Sequence, residues 1–110
     1  MTESAADTRL VLSTASSPEE ATRLCRALVE ERLAACANLI PGMQSIYRWQ
    51  GAVEEANETL ILLKTTTANI GALENRLREL HNYEVPEFLV LDVDSGSHAY
   101  LDWLRQQVAL

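Results

Sequence analysis

His81 and His98, Cys25 and Cys36, and a few adjacent carboxylates are the side chains of this sequence best suited to metal or proton chemistry. His81 lies in "LRELHNYEVPE", residues 77–87, next to Tyr83-Glu84 and a Val85-Pro86 step. A histidine in that setting is a metal ligand, a catalytic base, or the end of a helix. Cys25 and Cys36 belong to no CxxC or other close ligand pair and read as small apolar side chains. Nucleophilic hydrolysis would pair Ser13 or Cys25 with His81, yet no nucleophile-elbow or oxyanion motif accompanies either. Glu19-Glu20 and Glu54-Glu55 are expected to form a helix start and a solvated turn rather than a general acid/base pair. The chain is therefore expected not to be an enzyme.

The elements that must position these residues follow from the hydrophobic pattern. "TRLVLST", residues 8–14, reads as a strand, with residues 1–7 expected as a flexible tail. "SSPEE" then starts a helix, with Ser17 as cap, Pro18 at the first helical position and Glu20 three residues after the cap. Ala21, Leu24, Cys25, Leu28, Val29 and Leu33 continue at helical spacing, which puts Cys25 on the inner face. From Cys36 to Trp49 the pattern is extended and interrupted only by Pro41-Gly42, predicting a bulge or bend. Gln50-Gly51 turns the chain into "AVEEANETLILLKTTT", whose apolar run Leu60 to Leu63 predicts a strand covered on both faces. A second helix is expected from about Ala68 to Leu80 on an Ile70, Leu73, Leu77, Leu80 stripe. His81 falls within about 20° of that stripe at ~100° per residue and should point inward. "EFLVLDVD" is the last predicted strand, and "SGS" caps a final helix with Tyr100, Leu101, Leu104 and Val108 inward.

This order is βαββαβ plus a C-terminal helix, an α+β chain of the ferredoxin-like, split βαβ kind, in one domain spanning residues 1–110. Fourteen extended residues reach about 45 Å at ~3.3 Å each, beyond the roughly 35 Å body of a compact domain of this size. The hairpin should overhang and expose Ile46, Tyr47 and Trp49, so a partner copy is the expected cover. The net charge of −7, with basic residues scattered, argues against nucleic acid and anionic membrane as partners. The opening residues do not form a signal-like apolar run, and a cytoplasmic location is expected.

The ordered blocks "ERLAACANLIPGMQSIYRWQG", "ETLILLKTT", "YEVPE" and "HAYLDWL" closely resemble the CutA family of divalent-cation tolerance proteins, over about Thr8 to Trp103. The resemblance implies a ferredoxin-like subunit assembled as a tight homotrimer similar to PII signalling proteins. It also implies a link to copper or another divalent metal, through a first-strand cysteine and paired histidines before the tyrosine of "YEVPE". Here Ser13 stands at the cysteine position and Leu80 at the first histidine, leaving His81 as the candidate metal ligand. A single imidazole with a hydroxyl is a poor copper site, so metal binding is expected to be weak or altered. The alternatives are a PII-like small-ligand or signalling trimer, and a scaffold for a partner protein. A small ligand would use an intersubunit cleft lined by Tyr47, Trp49, Lys64, Tyr83 and Glu84, with Glu84 or a bound anion pairing Lys64. Other ferredoxin-like activities lack their motifs. "STASSPEE" has neither the Gly-rich loop nor the arginine of an acylphosphatase, and no CxxC, basic aromatic sheet or cysteine cluster is present.

Overall fold

A computed structural model describes residues 1–109 of the chain. Its main sheet has the strand order β3-β4-β2-β5, with β2 Thr8–Ala15, β3 Cys36–Trp49, β4 Ala52–Thr66 and β5 Leu89–Asp92, all antiparallel. Helices α1, Pro18–Glu30, and α2, Ile70–Leu80, cover one face, which is the ferredoxin-like arrangement. The core lies beneath them, where Val11, Leu24, Leu28, Ile61, Leu63, Leu73 and Leu77 are fully buried. α3, His98–Val108, closes a smaller cluster of Ala35, Leu104 and Val108.

Local chemistry explains the element boundaries. The Ser17 hydroxyl accepts from the Glu20 N–H at 3.1 Å, as the cap predicts, but the Glu20 carboxylate pairs with Arg23 instead of reaching back. α1 stops earlier than its apolar stripe because Arg32 takes a left-handed conformation, φ 61°, and the Leu33 N–H turns back to the Leu28 carbonyl. α2 is preceded by one turn of 3-10 helix, Thr67–Asn69. Ser97 caps α3 through the Tyr100 N–H at 3.2 Å. Leu101, Leu104 and Val108 face inward, whereas Tyr100 remains 42% exposed.

Two expectations are corrected. Residues 1–7 are not a loose tail: β1, Thr2–Ser4, pairs antiparallel with β6, Ser95–Ser97, and Ala5 is fully buried. Arg105 and His98 bind Glu3, and Arg105 also grips Asp7 at 2.9 Å, which holds this second, two-stranded sheet in place. The last strand of the main sheet is also shorter than "EFLVLDVD", because the irregular segment after α2 runs through residue 88 and residues 93–94 leave the ladder. That loop is anchored where the Ser13 hydroxyl donates to the Glu87 carbonyl at 2.8 Å.

The hairpin dominates the shape, and the molecule measures 46 × 25 × 22 Å. Gln50 and Gly51 both have positive φ, 50° and 83°, the signature of a two-residue type I′ turn. Pro41 and Gly42 form the bulge: Ile40 pairs with Leu60 but Met43 pairs with Glu58, so β3 carries one extra residue. Gly42, at φ 78°, takes the backbone conformation that side chains disfavour.

Candidate functional site

The bulge decides which hairpin residues face the site. Before it, Leu39 opposes buried Ile61 on the helix side of the sheet. After it, Met43, Ser45, Tyr47 and Trp49 oppose Glu58, Ala56, Glu54 and Ala52, which alternate onto the other side. A strand without the extra residue would turn those aromatic rings the opposite way.

On that open side a cleft of about 840 Å³ lies between the hairpin and the 82–87 loop. Tyr47 and Trp49 come from β3, Glu58 from β4, and Tyr83, Glu84 and Glu87 from the loop. Four of the five residues anticipated for a ligand site therefore meet in one chain. Lys64 does not join them. Its ammonium sits 5.6 Å from the Tyr100 ring centroid, near α3, and makes no salt bridge with Glu84. Glu58 escaped the sequence reading although "ETLILLKTT" begins with it and alternation from Ile61 gives its face; the bulge sets only which β3 residue stands opposite it.

A run of hydrogen bonds builds the inner wall. The buried His81 ring meets the Thr14 carbonyl through Nε2 at 2.7 Å, and its Nδ1 accepts the Tyr83 N–H at 3.0 Å. One tautomer satisfies both contacts, the neutral ring with its proton on Nε2. The Tyr83 ring lies 4.6 Å from the imidazole, centroid to centroid, and its hydroxyl donates to Glu58 Oε2 at 2.7 Å. Burial, and then the bond to Glu58, push the Tyr83 phenol above its ordinary range, so it remains a proton donor.

The same geometry bears on metal chemistry. His81 closes α2, as its spacing suggests, but serves as a two-way hydrogen-bond strut and not as an imidazolium on the helix dipole. As arranged, it has no free lone pair for a metal. The fully buried Ser13 spends its proton on Glu87, and Leu80 packs against the core. These three positions do not fit a copper ion. Among the described residues, no three His, Cys, Asp or Glu side chains converge closely enough to hold a metal. Cys25 lies on the buried face of α1, and burial raises its thiol to about 11, away from thiolate chemistry.

Comparison with known proteins agrees with the architecture. Residues 9–107 match the family model described as CutA1 divalent ion tolerance protein. The divalent-cation tolerance protein CutA of Thermus thermophilus is 53% identical over 97 residues, covering 88% of this chain and 94% of the relative. The structure of CutA from Synechococcus elongatus superposes with a TM-score of 0.95 at 43% identity, covering 99% of this chain and 96% of that one. A second structure from the same organism, described as complexed with a Bis-Tris molecule, gives 0.91 at 42% identity, covering 97% and 99%. A family match across nearly the whole chain, with relatives of this identity and structural similarity, places this chain in the CutA family of divalent-cation tolerance proteins.

Proposed function

We propose that this chain serves divalent-cation tolerance as a cytoplasmic homotrimer that binds a small ligand in the cleft beneath the hairpin, rather than copper at His81. One observation carries the reading: Tyr47, Trp49, Tyr83 and Glu84, distant in sequence, converge with Glu58 on one cavity. Its volume falls within the roughly 300–1,000 Å³ of small-molecule sites. A relative described as complexed with Bis-Tris supports an organic ligand as a class. The role is binding and not catalysis, since the candidate nucleophile Ser13 and base His81 are both engaged in structural hydrogen bonds.

Support for the assembly comes from surface that one chain leaves uncovered. Ile46 and Val53 near the hairpin tip are 67% and 61% exposed, and Leu89, Val90 and Leu91 line the open edge of the sheet. Light scattering at micromolar concentration should return three times the 12.2 kDa subunit mass. A monomer would overturn the trimer.

Calorimetric titration with copper(I) and copper(II), on wild type and His81→Ala, tests the choice of site. Equal heats in the two proteins are expected. Loss of a copper heat in His81→Ala alone would return the site to His81.

A further inference from the structure

We propose that the cleft selects an organic polycation, an aliphatic amine carrying two or more ammonium groups. This rests on the cleft being the working site and adds the class of its ligand. Three carboxylates, Glu58, Glu84 and Glu87, and three aromatic rings, Tyr47, Trp49 and Tyr83, form the lining. No lysine, arginine or histidine is among the residues of this one chain that line it. None of the three carboxylates has a salt-bridge partner among the described residues.

The absence of basic groups has a structural cause. Arg48 lies between Tyr47 and Trp49 in sequence, and strand alternation sends it to the other face of the ribbon. A bound anion would meet carboxylates with no counter-charge, at a cost that desolvation increases. A cation would find carboxylates to pair with and ring faces to lie against. The net charge of −7 also favours cations at long range.

Geometry further separates an organic cation from a metal ion. A metal needs several donors within about 2–2.6 Å of one point, and no such group of three forms among the described residues. Charges spread across 840 Å³ match ammonium groups spaced along a carbon chain. Glu58 is oriented for that task, because the Tyr83 hydroxyl holds Oε2 and leaves Oε1 for a ligand.

The test uses spermidine as the cation, with hexanediol, adipate and magnesium chloride as neutral, anionic and metal controls. Trp103→Phe leaves Trp49 as the fluorescent reporter, and calorimetry on the unmodified chain checks that background. Spermidine is expected to change Trp49 emission saturably, while the three controls leave it unchanged. Glu58→Gln/Glu84→Gln/Glu87→Gln should weaken spermidine by about tenfold, the sum of three partly exposed charge pairs. Should that variant not fold, Glu84→Gln/Glu87→Gln, confined to the exposed loop, should still weaken it by about threefold. Unchanged affinity in the neutralised variants would mean diffuse association with an acidic surface and would overturn the proposal. Magnesium acting as well as spermidine would overturn it too. If adipate or hexanediol moves Trp49 and spermidine does not, the cation assignment fails while the ligand cleft stands. If none of these compounds moves Trp49, both readings fall.

Discussion

Replacing His81 by alanine separates a structural imidazole from a metal-binding one. In the native chain the ring joins the end of β2 to the loop after α2, through the Thr14 carbonyl at 2.7 Å and the Tyr83 N–H at 3.0 Å. The Thr14 bond is buried, so stranding that carbonyl should cost about 1–3 kcal/mol. The Tyr83 N–H is only partly buried and can recover a water, so its share is about 0.5–1 kcal/mol. Losing the ring contact with Tyr83 adds about 0.5–1 kcal/mol. His81→Ala should thus lose about 2–5 kcal/mol in total. Urea unfolding would show this as a midpoint lowered by about 1–3 M at a slope near 1.5 kcal/mol/M. Protein concentration must be held constant, because an oligomer's apparent stability depends on it. A loss below about 1 kcal/mol, accompanied by weaker copper binding, would refute the strut and make the imidazole a ligand.

Three further outcomes follow from titratable groups and burial. In an ultraviolet absorbance titration one tyrosine should remain protonated well past the ordinary value of about 10, and Tyr83→Phe should abolish that late step. Because the folded Tyr83 value is raised, its contribution to stability is complete below about pH 10 and is lost as pH climbs through the folded value. At the β1–β6 sheet, the Glu3 bond raises His98 and the His98 bond lowers Glu3. His98 support is present below its unfolded value of about 6.5 and fades above, while Glu3 support is present above about 4.3 and fades below. Amide protection at Thr2–Ser4 should therefore peak near pH 5–6, and His98→Ala should remove the alkaline decline. Iodoacetamide at about pH 8 should alkylate half-buried Cys36 and spare Cys25, whose buried thiol is raised to about 11. Rapid labelling of both thiols, read by mass spectrometry, would contradict that burial.

Legibility in the sequence tracks the range of the determining interaction. Capping at Ser17 and Ser97 depends on residues three apart, and both caps are present as read. The long hairpin was equally visible, since strand length and a Gln50-Gly51 turn are local quantities. The β1–β6 sheet was not: Thr2 and Ser97 are polar, show no strand periodicity, and are joined only by the completed fold. Among cleft residues, Tyr47, Trp49, Tyr83 and Glu84 stood out by type and by the chain's likeness to its family. Lys64 stands apart from the cleft of the single chain because a strand's ending gives no sign of which helix will meet it, and α3 brings Tyr100. Glu58 was missed because alternation along β4 gives its face but not its partner, Tyr83, which the loop after α2 brings from 25 residues away.

That extra residue in β3 makes the chemical character of the cleft a matter of counting. Deleting Pro41 or Gly42 changes no residue at the tip, yet it would turn Arg48 towards the cleft and Tyr47 and Trp49 away from it. A wall of rings facing carboxylates would become one carrying a guanidinium. A single-codon deletion here would thus offset one of the three carboxylates and remove both rings in one evolutionary step. Among relatives, the length of the segment between Ile40 and Met43 should therefore be a sharper marker of ligand class than the identity of any one residue beyond it.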